Sequence, residues 1–164
     1  MILGMSTFTF VHTALSLVAL VSGLIVVFGM IGSHALRAWT AIFLLTAVAT
    51  SATGFGFPFE KFEASHWIGV ISLVALGIAI LARYAFHLAG TWRWVYAVTA
   101  IIGAYFLVFV GIAQAFKKIP ALHAMAPTLS EPPFGISQGV TLVIFVVLTV
   151  LAVRKFHPVA ARLA

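Results

Sequence analysis

Five long apolar runs, joined by connectors that are short with one exception, leave this chain few architectures. A bilayer core takes about 20 mostly apolar residues per helical crossing. The stretches Phe8–Ile31, Leu36–Phe57, His66–Phe86, Trp94–Phe116 and Ser137–Val153 each meet or approach that length. A water-soluble chain of 164 residues needs a charged surface, yet here 63% of residues are hydrophobic, 7% are charged and mean hydropathy is +1.21. The runs lack period-two alternation and are too long for barrel strands. The expectation is an all-α, polytopic transmembrane bundle of five spans, built as a single domain over residues 1–164. Ser33-His34-Ala35 has the small residues of a cleavage site. No Lys or Arg precedes the first run, however, and the run is too long for a signal core, so it is expected to remain as a span.

Charge sets the expected orientation. One set of alternate connectors and ends carries Arg37, Arg83, Arg93, Arg154, Lys155 and Arg162. The other carries Lys61, Lys117 and Lys118. The set richer in Lys and Arg stays cytoplasmic, which puts the N-terminus outside and the C-terminus in the cytoplasm. There is no Asp, and Glu60, Glu63 and Glu131 all fall on the outer side. Trp39, Trp67, Trp92 and Trp94 sit at span ends, at the depth where amphipathic rings anchor. The net charge of +6 therefore reads as topogenic, and no basic stretch interleaved with aromatics suggests nucleic acid. The absence of Cys rules out disulfides, thiolate metal sites and cysteine nucleophiles.

Lipid gives helices no hydrophobic reason to associate, so small residues mark where backbones approach. His12, Ser16, Ala19 and Gly23 share one helical face, as do Thr99, Gly103, Phe106, Val110 and Gln114; Thr46, Ala49, Thr50, Thr53 and Gly54 form a third stripe. These stripes are expected to face other helices. The pentapeptide Ser16-Leu17-Val18-Ala19-Leu20 recurs at Ser72–Leu76, which hints that spans one and two are repeated as spans three and four. Arg83 lies near an inner span end, from which its side chain can snorkel to the headgroups. No span has an ionisable group at mid-depth, which argues against an ion-coupled pump.

Polar residues converge at the outer ends. His12, Thr50, Thr53, His66, Gln114 and Gln138 should lie at similar depth, beneath His123, Glu131 and the long connector Lys117–Ile136, which is proline-rich and reads as a lid. Two specific chemistries fit. His12 and His66, on different helices, could ligate one b-type haem. A second pair, His34 and His87, stands about 30 Å further along the same helices and belongs with the headgroups. Alternatively, Glu60-x-x-Glu63-x-x-His66 has the spacing that aligns side chains on a helix, and Glu63, His66 and His123 could hold a single divalent metal. No Gly-x-Ser-x-Gly elbow and no Asp exists for a triad hydrolase. In Thr53-Gly54-Phe55-Gly56-Phe57-Pro58-Phe59 the glycines and proline should end span two and cap it.

Two motifs carry a resemblance. They are Ala49–Phe59 and the run Gln114-Ala115-Phe116-Lys117-Lys118-Ile119-Pro120-Ala121-Leu122-His123 with its continuation Ser130-Glu131-Pro132-Pro133-Phe134. With these the chain resembles small five-span inner-membrane proteins of proteobacteria. The resemblance implies a multi-pass bacterial inner-membrane address and no particular reaction. The histidine placement alone resembles b-type membrane cytochromes, and departs from them in spacing. The sequence thus reads as a non-catalytic accessory subunit or small-ligand binder with a polar pocket at the outer face. Its surroundings are the bilayer and a membrane-protein partner or a second copy, without nucleic acid. The alternatives are haem b on His12 and His66, which would make it a membrane oxidoreductase, and the single-metal site.

Overall fold

The computed structural model describes residues 6–58 and 64–158, and these are helical apart from short turns. The helices are α1 (Thr7–Ile31), α2 (Arg37–Gly54), α3 (Ala64–Ile80), α4 (Trp92–Lys118), α5 (Pro120–Met125) and α6 (Pro132–Lys155); a π-helical turn, Leu81–Ala85, extends α3. Four are long and apolar enough to cross a membrane: α1, α3 with its extension, α4 and α6. The architecture is that of a multi-pass membrane protein.

Each boundary has a local cause. The Ser6 hydroxyl accepts the Thr9 amide at 3.1 Å and starts α1. Pro132 and Pro133 occupy the first positions of α6, where a missing N–H costs nothing, so this helix starts five residues earlier than Ser137. α2 stops at Gly54, short of Phe57, where the amides of Phe55 and Gly56 turn back onto Ala52 and Thr53. The connector 117–136 is correspondingly mostly helical, with only Ala126–Glu131 between α5 and α6.

Helices α1 to α4 form a ring in which each packs against the next and α4 closes onto α1; α6 lies outside, against α4 and α1. Small residues permit the closest approaches. A Cβ on Gly23 would meet the Phe43 ring at 2.9 Å, and one on Gly103 would meet Leu76 at 2.7 Å. Around these contacts, at the end holding the α1–α2 turn, the ring is solid: Val27, Met30, Phe43, Leu76, Tyr96 and Ile101 are fully buried. The second helix turns Thr40, Phe43, Leu44 and Ala47 into this core, so its fully buried face is rotated from Thr46 and Ala49 of the expected stripe, whereas Thr50, Thr53 and Gly54 of that stripe do face other helices. The outer surface is apolar, with Leu45 73% and Val143 64% exposed, as lipid contact requires and water would not tolerate. Trp39, Trp67 and Trp94 also face outward near helix ends.

The outer helix is held by specific contacts. Gln138 Nε2 donates to the Phe109 carbonyl at 3.0 Å, and Phe145 packs edge-on against Tyr105. The His157 amide donates to Ser33 Oγ at 2.8 Å, tying the end of α6 to the α1–α2 turn.

Candidate functional site

Opposite the solid end the ring opens. A cavity of about 930 Å³ runs between α1, α2, α3 and α4 from Lys118 and Gln114 at its mouth to Leu20, Ala47, Leu76 and Gly103 at its floor. The packing explains the opening. Phe43, Leu76 and Ile101 fill the ring centre at mid-height, whereas the next turns present Ser16, Thr50, Ser72 and Gly111, too small to meet across it. The two copies of the repeated pentapeptide supply matching positions: Ser16 and Leu20 from α1, Ser72 and Leu76 from α3.

The wall is graded. Thr9, His12, Thr13, Ser65, His66, Gln114 and Lys118 are polar, and Leu17, Leu20, Ala47, Leu76, Phe106, Leu107 and Val110 are apolar. The residues after α2 hook aromatic rings over the polar part. Phe57 meets His12 edge-on with centroids 5.0 Å apart and also contacts Phe8; Phe55 lies 5.8 Å from the His66 ring. Gly69 on α3 makes room for Phe55, since a Cβ there would stand 3.1 Å from that ring.

The hydrogen bonds assign the tautomer of His12. Thr53 Oγ1 has one proton, which it donates to the Ala49 carbonyl at 2.7 Å and shares with Thr50 at 3.2 Å. Toward His12 Nδ1, 2.8 Å away, that oxygen can only accept. Nδ1 therefore carries the proton, and neutral His12 keeps Nε2 as an acceptor. The Ser16 hydroxyl is occupied with the His12 carbonyl at 2.7 Å. Thr50 Oγ1, by contrast, is buried on the cavity wall with no hydrogen-bond partner, a state that buried hydroxyls seldom keep.

Of the residues singled out in sequence, His12, His66, Thr50 and Gln114 line this cavity, and Thr53 stands behind His12. Gln138 lies elsewhere, buried between α6 and α4. Glu131 closes the turn before α6, accepting the Thr128 hydroxyl at 2.9 Å and the Ser130 amide at 3.1 Å; Thr128 and Ser130 also bond through their hydroxyls. Desolvation, the largest single influence, would raise the Glu131 carboxyl, but donation from the amides of Glu131, Thr128 and Ser130 and from the Thr128 hydroxyl together outweighs it and holds the group below its usual range. His123 is exposed on α5, which packs on α4. No described residue beyond Lys118 lines the cavity, so the expected lid stands to its side. Glu60 and Glu63 lie outside the described residues, and among the described ones no three of His, Asp and Glu gather as a metal shell. Sequence reasoning missed Phe55, Phe57, Ser65, Ser72 and Lys118. The repeat and the Phe-Gly-Phe-Pro turn were the signals for most of them.

Comparison with known proteins finds no family model, no curated protein and no solved structure that matches this chain.

Proposed function

We propose that this is a five-span bacterial inner-membrane protein, N-terminus outside, that binds a small amphiphilic ligand in the cavity between α1 and α4. Its role is non-catalytic, alone or as an accessory subunit. The observation that carries the reading is the cavity itself: about 930 Å³, polar at the mouth, apolar at the floor, with the Thr50 hydroxyl unpartnered on its wall. Pockets of this size with a few fixed polar groups are the ordinary form of small-molecule sites.

The fifth span is α2. Its 18 residues rise about 27 Å. It forms a hairpin with α1, joined by the short turn Gly32–Leu36 and meeting it again at His12 and Thr53. Its hydroxyls lower its hydropathy at little energetic cost, because Thr46 and Thr53 donate to carbonyls one turn back. Membership among the small proteobacterial inner-membrane proteins rests on the two sequence motifs and is part of the proposal.

A second reading keeps haem b. It is favoured by His12 and His66 lining one cavity, and by the Thr53 contact that fixes the ring of His12 while leaving Nε2 as its electron-pair donor, as partners of metal-bound histidines do. One preparation separates the readings. The detergent-purified protein is examined by absorbance, oxidised and dithionite-reduced, and by mass spectrometry of its organic extract. Ligand binding predicts an extracted small molecule that is lost when Thr50→Leu removes the free hydroxyl and narrows the cavity at mid-wall. A reduced b-type band that vanishes in His12→Ala and His66→Ala would install the haem reading instead. A colourless protein that extracts nothing beyond what Thr50→Leu does would remove both.

A further inference from the structure

The cavity between α1 and α4 has a shape as well as a volume. Along α4 its lining runs from Lys118 at the mouth to Gly103 at the floor, about 22 Å of helix rise. Spread over that length, about 930 Å³ gives a mean cross-section of about 40 Å². The space is a deep, narrow slot and suits an elongated molecule better than a compact one. The two chains and head of a bilayer phospholipid exceed this volume; one chain with its head does not.

Polarity falls in the same direction on three of the helices. Thr9 and His12 give way to Leu20 on α1, Ser65 to Leu76 on α3, and Gln114 to Phe106 on α4. A matching ligand is polar at one end and apolar along the rest, because burying its apolar length against the floor is what favours binding.

The slot also meets the outside of the bundle. Leu17 lines it and is nevertheless 59% exposed, so this side chain belongs both to the cavity wall and to the outer apolar surface. It lies about 15 Å along α1 from the start at Thr7, a depth inside the hydrocarbon core of a bilayer. Helix α6 is tied to the far end of α1 at Ser33 and leaves Leu17 uncovered. Across the seam α4 presents Gly111, where an added Cβ would meet Leu20 at 3.4 Å and no other neighbour within 4 Å. At this level α4 therefore puts no side chain across the gap. A ligand dissolved in the membrane would reach the slot here with its chain already at the right depth.

We infer that the ligand is a single-chain lipid, a fatty acid or a lysophospholipid, that enters sideways from the bilayer between α1 and α4. Its head lies beside His12 and Gln114, and its chain runs down to Leu20, Leu76 and Phe106. This rests on the proposal that the cavity binds an amphiphile, and adds which amphiphile and by what route.

The test uses the full chain in nanodiscs of phosphatidylcholine. Palmitic acid with a mid-chain diazirine is added, or lysophosphatidylglycerol bearing the same acyl chain. Samples are irradiated at timed intervals, and labelled residues are mapped by mass spectrometry. The expected result is labelling of Leu20, Leu76 or Phe106 that an excess of the unlabelled lipid competes away. Val143, exposed on α6, reports the lipid that surrounds the protein and should not show competition. Labelling of the slot by one probe identifies that lipid as the source, and labelling by both identifies the shared chain as what is recognised. Gly111→Leu, which fills the gap, should abolish early labelling of the slot. Leu17→Trp changes an exposed position and so should leave the fold intact; it should slow the labelling, whereas Val143→Trp should not. If neither probe labels the slot, the inference is overturned. Extraction of a compact molecule that Thr50→Leu loses would then leave the binding proposal standing without it, and extraction of nothing would remove both. Labelling as fast in Gly111→Leu and Leu17→Trp as in the wild type overturns the sideways route.

Discussion

Substituting Gly23 by Ala probes the closest contact of the ring. A glycine-to-alanine change inside a helix ordinarily stabilises by up to about 1 kcal/mol, because alanine has less backbone freedom to lose. At Gly23 the new methyl would stand 2.9 and 3.0 Å from two atoms of the Phe43 ring and 3.5 Å from Ala104. Phe43 is fully buried, and its far edge is already 3.8 Å from where a Cβ on Gly103 would sit, so the ring has little room to retreat. Overpacking of this kind costs about 1–3 kcal/mol. The net expectation for Gly23→Ala is a destabilisation of about 0–2 kcal/mol once the backbone gain is subtracted. Gly139 on α6 is the control, since an added Cβ meets nothing within 4 Å. Gly139→Ala should leave stability unchanged or raise it by up to about 1 kcal/mol. Reversible unfolding of both variants in the same mixed micelles reads the difference, expected at about 1–3 kcal/mol. If Gly23→Ala is as stable as Gly139→Ala, Phe43 is not lodged between α1 and α4 and the account of how the ring closes fails.

Other outcomes follow from the same geometry. The chain has no Cys, so single cysteines can report topology: with five spans, Ser6→Cys and His157→Cys should react with impermeant maleimide from opposite sides of sealed vesicles, and labelling from one side would eliminate α2 as a span. Thr53→Val should cost about 1 kcal/mol through the lost hydrogen bond. It should also turn the His12 ring, whose 15N spectrum in the wild type shows Nδ1 protonated, into a tautomer mixture; an unchanged spectrum would contradict the assigned network. Because the Glu131 carboxyl is held below its ordinary value of 4.5, the turn it closes should be fully stabilised above that pH. Protection should be lost as pH falls through the lower, folded-state value. Amide exchange at Thr128 and Ser130 is the readout, and Glu131→Gln should abolish this pH dependence. His87, exposed at φ 51°, should accept glycine with a gain of up to about 1 kcal/mol, visible as a higher unfolding temperature.

Much of this molecule is written in local pattern. Apolar runs of bilayer length, with too few charges to coat a soluble surface, dictate membrane helices whatever their partners. The inward placement of His12 and Ser16 followed from helical period, as did the cavity-facing positions of Gly103, Phe106, Val110 and Gln114. These residues repeat every turn or two, and lipid cannot satisfy the polar ones.

What period could not decide is which faces meet and how closely. The rotation of α2 depends on Phe43 entering the gap at Gly23 and Gly103, a contact among three helices that none of the three sequences announces alone. Gln138 shares its depth with the polar cluster but sits on α6, which the closed ring leaves outside, so it braces α4 instead of facing the cavity. Arg83 looked like a snorkelling end residue until a π-turn of five residues rotated it inward. In each case the outcome rests on contacts between elements far apart in the chain. Span length and charge bias are sums over neighbouring residues and can be read directly; the cavity and the buried cation are differences in fit between helices, which exist only once the ring has closed.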